Sequence, residues 1–172
     1  MRLSGFCVIV VFLAGLVCSC ATMPVQWEYE KDAIKLNIKA DPKLNLRGNK
    51  GHKLAICVYQ LRDPSQFNQL KSNEQGLYKL LECTNFDSSS IACSRFFVDP
   101  GKNQVKALDR AEGAKYVAVV AGYYKLDKDK VTALAEIKQV SKRYGFLKTK
   151  KKTVPAELQM ELNFGPSGII RK

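Results

Sequence analysis

Tyr116-Val-Ala-Val-Val-Ala-Gly-Tyr-Tyr124 is apolar on both of its alternating phases. A strand with one wet face alternates apolar and polar residues, so a run without alternation is expected of a central strand covered on two sides. Around it lie shorter strand signals. Downstream, Lys125 to Lys130 is a polar turn into Val131 to Val140, and Leu158, Met160, Leu162 and Phe164 alternate with polar neighbours over Glu157 to Phe164. Upstream, Arg95-Phe-Phe-Val98 and Gln104 to Leu108 flank the turn Asp99-Pro100-Gly101.

The first half of the chain adds two strands and a helical interruption. Ile34, Leu36, Ile38 and Ala40 alternate with Lys35, Asn37 and Lys39, the period of a half-buried strand. Trp27 and Tyr29 fall on the opposite phase, which predicts a bulge or a separate lead-in near Glu30 to Asp32. The Pro, Asn and Gly punctuation from Asp41 to His52 reads as a loop, and Lys53 to Leu61 reads as the second strand. Asp63-Pro64-Ser65 can start a short helix through Lys71, with Phe67 and Leu70 facing inward. Ser72 and Gln75 then stand at capping-box spacing before a second helix carrying Leu77, Leu80 and Leu81 on one side. Together these signals predict an all-β chain: a two-sheet antiparallel β-sandwich over residues 27 to 164, with a helical insertion at about 63 to 82. Residues 165 to 172 read as a flexible tail.

Length and composition set the outer bounds. The 172 residues suit one domain, and 46% hydrophobic content with eight Phe, seven Tyr and one Trp allows a packed core. A single histidine argues against most metal-centred and histidine-based catalysis. There is no Gly-x-Ser-x-Gly elbow, His-Glu-x-x-His pair or phosphate-binding Gly loop. His52 lies in a loop, where an exposed imidazole is the commoner role, and a turn ion pair accounts for Asp109, Arg110 and Glu112. The expectation is a non-enzyme without metal or cofactor.

The N-terminus is a targeting segment. Arg2 supplies a positive n-region and Phe6 to Val17 is an apolar run of signal-peptide length, too short for a permanent span. It ends in Val17-Cys18-Ser19-Cys20, an aliphatic residue and two small ones before a cysteine, which resembles the bacterial lipobox. By that resemblance residues 1 to 19 are removed and Cys20 becomes the lipidated terminus with three acyl chains. The alternative is a soluble secreted protein cut at an ordinary small-residue site. Several chains anchor far more firmly than one, because each buried methylene contributes about 0.8 kcal/mol. Ala21, where an aspartate would signal inner-membrane retention, favours the periplasmic face of the outer membrane. Residues 20 to 26 form a short linker that keeps the body near the lipid, since six extended residues reach only about 20 Å.

Export places the remaining cysteines in an oxidising compartment, where spaced cysteines are usually bridged. Cys57 lies inside Leu54-Ala-Ile-Cys-Val-Tyr-Gln-Leu61 and reads as a buried, inert thiol. Cys83 and Cys93 flank the loop from Thr84 to Ala92, and a disulfide between them is expected. A zinc site is the poorer alternative, because no second ligand pair stands at a usable spacing.

The order of several segments is recognisable. The lipobox, Val58-Tyr59-Gln60-Leu61, Asp63 and Phe67, Val98-Asp-Pro-Gly101, Leu108-Asp-Arg110 and Lys115 to Tyr124 resemble the TssJ family, outer-membrane lipoproteins of type VI secretion systems. The resemblance runs from the lipobox to about Phe164. Family members commonly carry an Asn-Pro pair, a Gly and a proline before the second strand, whereas Leu44-Asn45-Leu46, Gly48, Gly51 and Lys53 stand here. The resemblance implies a transthyretin-like sandwich that binds the periplasmic C-terminal domain of TssM and fastens the TssL-TssM-TssJ membrane complex to the outer membrane. The competing function is a lipoprotein sandwich that binds a small hydrophobic ligand or anionic lipid.

Two surfaces are candidates for contact. In the loop after the first strand, Leu44 and Leu46 sit among Lys43, Asn45 and Arg47, an apolar centre with a cationic rim that suits a protein interface. Both leucines could instead fold back as a lid on the sandwich. The run from Lys138 to Lys152 contains Lys142, Arg143, Lys148, Lys150, Lys151 and Lys152 and no acid. It reads either as a solvated hairpin end or as a contact for anionic headgroups or an acidic partner. The formal charge of +12 would also suit nucleic acid, but the export signal directs the chain away from it.

Overall fold

The computed structural model describes residues 25–145 and 150–170. Its elements in chain order are β1 (Glu30–Ala40), β2 (Leu54–Leu61), α1 (Ser65–Leu70), α2 (Glu74–Leu81), β3 (Ser90–Val98), β4 (Asn103–Arg110), β5 (Tyr116–Ala121), β6 (Thr132–Glu136), β7 (Gln139–Tyr144), β8 (Lys150–Pro155), β9 (Leu158–Phe164) and β10 (Ile169–Ile170). One sheet has the order β10-β9-β1-β4 and the other β3-β2-β5-β6, while β7 and β8 form a separate two-stranded ribbon. Among the described residues no helix is long and apolar enough to cross a membrane.

The two sheets share one core. Ile34, Leu36 and Ile38 of β1 and Leu162 and Phe164 of β9 are buried with Ile56, Val58, Val117 and Val119 of the second sheet. Side chains of this size contribute about 1.5–3 kcal/mol each when fully removed from water. The remaining phase of the second sheet, including Cys57, Tyr59, Ala118 and Val120, is buried as well. The helical insertion covers that outer face: the Tyr59 hydroxyl donates to the Leu80 carbonyl at 2.6 Å, and Leu77 and Leu80 are buried. This is why Tyr116 to Tyr124 lacks alternation. The α1–α2 corner is tight enough to require glycine, since a Cβ on Gly76 would lie 1.9 Å from the Leu70 carbonyl oxygen.

A buried glutamine joins the sheets at one end. Gln60 of β2 donates through Nε2 to the Asp109 carbonyl at 2.8 Å and accepts from the Ala111 amide at 2.7 Å. The bulge expected near Glu30 is present as a register shift between Glu30 and Ile34, with Asp32 at a φ of 54°.

Several expectations need correction. Cys83 bridges to Cys57, with Cα atoms 5.3 Å apart, and Cys93 is a free thiol. Spacing favoured the shorter loop from Cys83 to Cys93, but α2 packs on the outer face of β2 and delivers Cys83 to Cys57. The bridge staples the whole helical insertion to β2, closing a loop of sequence separation 26 that is worth about 3–4 kcal/mol in the chain-entropy model. The segment read as a flexible tail is ordered through Ile170: Ile169 and Ile170 pair with Phe164 and Asn163, and Ile169 packs on the core. Strand β9 runs parallel to β1, so that sheet is mixed. The α2 cap is Asn73, whose side chain accepts from the Gly76 amide at 2.9 Å, one residue after the expected Ser72. Finally, the strand expected over Val131 to Val140 breaks at buried Ile137 into β6 and β7.

Candidate functional site

Strand β1 runs the length of the sandwich and separates two ends. At its C-terminal end the chain enters the loop from Asp41 to Lys53, which is fixed by hydrogen bonds from several directions. The Asp41 carbonyl accepts from the Leu44 and Gly101 amides at 2.9 and 3.1 Å, and its side chain accepts from the Lys43 amide at 2.7 Å. Leu44 has no exposed surface and belongs to the core, so of the two loop leucines it is the one that folds back as a lid. Asn45 is also buried, at a φ of 50°; its side chain accepts from the Tyr124 amide at 2.9 Å and donates to the Lys53 carbonyl at 3.4 Å.

That framework pushes the next residues outward. The Leu46 amide donates to the Pro166 carbonyl at 2.8 Å while its side chain is 39% exposed. Arg47 and Lys50 exchange backbone hydrogen bonds of 3.1 Å across Gly48 and Asn49, both at positive φ, which is the two-residue turn whose twist suits a β-ribbon. The Arg47 guanidinium lies 5.0 Å from the ring centre of Tyr124, which is 54% exposed, and the His52 ring meets Tyr124 edge-on at 5.4 Å. The surface formed is therefore Leu46, Tyr124 and Arg47, with Lys43 and Lys50 exposed around it. Tyr124 was not in the sequence-based set because it reads as the end of a strand. Its signal was the polar turn immediately after it, which takes Tyr124 out of the sheet.

The other end carries the chain's entry. Arg110 is buried; its Nη2 pairs with Glu30 at 2.8 Å and also donates to the Glu28 carbonyl at 3.3 Å, while its Nη1 donates to the Ala156 carbonyl at 3.4 Å. These partners replace the local turn pair expected for Arg110, because β1 and the Ala156 segment both converge on the end of β4. Asp109 accepts from the Tyr29 hydroxyl and from the Asp32 amide, and these bonds, the first above all, hold its carboxyl below the usual carboxylate range. The ribbon β7–β8 projects from the same end. Every residue of β7 is exposed, and Lys142 and Arg143 stand opposite Lys152 and Lys151. Lys150 lies in β8 opposite Tyr144; Lys148 and Cys20 fall outside the described residues.

Clefts of about 300 to 380 Å³ open on the surface, each lined in part by charged or polar side chains. Among the described residues no group of three or more His, Cys, Asp or Glu side chains is placed to hold a metal ion.

The fold is similar to that of Serratia marcescens Lip, a membrane-bound component of the type VI secretion system, with 20% identity, a TM-score of 0.60, and 87% of this chain and 99% of Lip covered. It is also similar to the type VI lipoprotein TssJ1 from Pseudomonas aeruginosa, with 16% identity, a TM-score of 0.56, and 84% and 96% of the two chains covered. A chain in the structure described as the TssM C-terminal domain from EAEC matches with 15% identity, a TM-score of 0.57, and 80% and 94% coverage. No curated protein matches the sequence. The family described as Type VI secretion lipoprotein, VasD, EvfM, TssJ, VC_A0113 matches residues 32–163, and the chain belongs to that family.

Proposed function

We propose that this TssJ-family lipoprotein is held by acyl chains on Cys20 at the periplasmic face of the outer membrane, binds the periplasmic C-terminal domain of TssM, and so fastens the secretion membrane complex to that membrane. The family match over residues 32–163 carries the reading. Chains of this fold in the structures described as the TssM C-terminal domain and the type VI membrane complex fit a place in that complex. The role is mechanical and non-enzymatic: the lipid supplies the hold on the membrane and the rigid sandwich presents a second surface at its far end.

Leu46, Arg47 and Tyr124 form the contact, with Lys43 at the rim. Tyr124 and Arg47 are of the residue types enriched at interface hot spots, and exposed Leu46 beside them adds apolar surface to the patch. Leu44 and Asn45 act one step back, holding the loop in place. The test is capture of a purified periplasmic TssM domain by the mature chain carrying Leu46→Asp, Arg47→Ser and Tyr124→Ser. Binding should weaken at least about a hundredfold, in line with the loss of two or more central anchors. Unchanged affinity with an unchanged melting temperature rejects this end as the contact. Separately, in cells without TssM, Cys20→Ser should release the protein from membranes washed at high salt, whereas the parent stays bound.

A further inference from the structure

We propose that the β7–β8 ribbon is a second membrane-binding element, which lays its cationic residues against the phosphate groups of anionic phospholipids beside the lipid anchor. The inference deepens the anchoring role and rests on the reading of Cys20 as the attachment point.

The first observation is position. Gln26 is six residues from Cys20, so extended chain keeps it within about 20 Å of the lipidated residue. Lys152 of β8 reaches Gln26, Nζ to Oε1, at 3.4 Å. Gln26, Glu28 and Glu30 form one wall of a cleft of about 300 Å³ whose other wall is Lys142, Lys152 and Val154. The ribbon therefore stands against the segment that leads to the membrane. Wherever the acyl chains insert, the ribbon is carried to within a linker's length of the headgroups.

The second observation is charge. Lys142 is paired across the ribbon with Lys152, and Arg143 with Lys151, so two successive cross-strand pairs are cation against cation. Such pairs are unfavourable on a sheet surface in water. Because successive residues alternate faces, Lys142 and Lys152 lie on the face toward the linker while Arg143 and Lys151 lie on the opposite, outer face. Among the described residues no ion pair involves these four side chains. The acids that line the cleft with Lys142 and Lys152 are Glu28 and Glu30, and Glu30 is already engaged by buried Arg110. Phosphates packed against the outer face neutralise Arg143 and Lys151, and the long stems of Lys142 and Lys152 let their ammonium groups reach the same headgroup layer around the ribbon's edges. The third observation is the remaining surface: Val140 and Tyr144 are 38% and 50% exposed on the strand that carries Lys142. A tyrosine with an apolar body and a polar tip suits the headgroup level of a bilayer. Because the ribbon pairs with neither main sheet, it can meet a surface without disturbing the core.

The test uses the mature chain with Cys20→Ser, so that no acyl chain contributes. It is sedimented with vesicles of phosphatidylethanolamine alone or mixed with phosphatidylglycerol. Binding is expected only to the anionic vesicles and is expected to fall away at about 0.5 M salt, where screening acts within a few ångströms. The variant K142Q/R143Q/K151Q/K152Q should lose at least about tenfold in partitioning, as expected when several basic residues leave an anionic surface. An equal-charge control, K39Q/K102Q/K106Q/K128Q, should stay within about twofold of the parent. Circular dichroism melting of each variant separates lost binding from lost folding. No binding to anionic vesicles, equal binding by the ribbon variant, or an equal loss in the control overturns the proposal. So does a ribbon that proves necessary for capturing the TssM domain while leaving vesicle binding unchanged. Failure of the anchor reading would appear elsewhere, as an unacylated Cys20 peptide in the mass spectrum of detergent-extracted protein.

Discussion

The two ends of the sandwich are both cationic surfaces, yet they are built by opposite means. At the end where β1 finishes, the base of the loop is tied to the core: Leu44 is buried, Asn45 spans from Lys53 to Tyr124, and the Leu46 amide is held by Pro166. At the end where β1 starts, the ribbon carries most of the charge, shares no sheet with the body and meets the linker through Lys152 and Gln26. Strand β1 has 11 residues, which at about 3.3 Å per residue keeps these surfaces roughly 30 Å or more apart. A tightly supported loop presents one geometry to a protein, whereas a projecting ribbon can follow a surface without fixed features. The difference in support is therefore a difference in what each end can recognise.

The sharpest challenge to this contrast is Leu44→Asp against Leu46→Asp. Placing a carboxylate at fully buried Leu44 should cost more than about 4 kcal/mol and unfold much of the chain. The same change two residues later should stay within about 0.5 kcal/mol while abolishing capture of the TssM domain. Equal effects in denaturant melts would mean that the loop is not anchored as described. Next in size is the bridge between the helical insertion and β2. Cys57→Ser with Cys83→Ser should lower stability by about 3 kcal/mol, and peptide mapping of the parent should recover Cys57 linked to Cys83 with Cys93 alkylatable.

Gln60→Leu tests the opposite end. It leaves the Ala111 amide and the Asp109 carbonyl without their partner, at a cost of about 1–3 kcal/mol, and hydrogen exchange should rise around Asp109 to Ala111 before it rises at the distal loop. Gly76→Ala should cost about 1–3 kcal/mol through the clash with the Leu70 carbonyl, without altering either end.

The smallest effect is acid sensitivity. The folded-state pKa of Asp109 lies below its unfolded value, chiefly because the Tyr29 hydroxyl donates to it. Its contribution is therefore present above the ordinary carboxylate range and lost as pH falls through the folded pKa, below about 4. NMR titration should show Tyr29 and Asp32 signals changing in that window, with the Asn45 to Tyr124 contact unaffected. Simultaneous change at both ends would erase the proposed independence.

Much of the architecture was legible because it depends on local alternation. The phase of Ile34, Leu36 and Ile38 marks the buried face of β1, and the unbroken apolar run from Tyr116 identifies the strand covered by a sheet on one side and α2 on the other. The surface was less legible. Leu44 and Leu46 are indistinguishable by composition and share a strand-like phase, yet the left-handed backbone at Asn45 turns one inward and the other out. Tyr124 joins the patch only because Asn45 captures its amide from 79 residues away.

The sequence by itself determined which faces of the strands exclude water, that a helical segment interrupts them, and that a cationic run without acids spans Lys138 to Lys152, since each depends on side-chain periodicity and charge along a few neighbouring residues. Only the tertiary structure decided that Cys83 reaches Cys57, that β9 lies parallel to β1, and that the linker and the ribbon share one end while the Leu46–Tyr124 patch occupies the other. Those outcomes depend on which distant surfaces pack together. Packing is selected by the fit of the whole core, which no local pattern encodes.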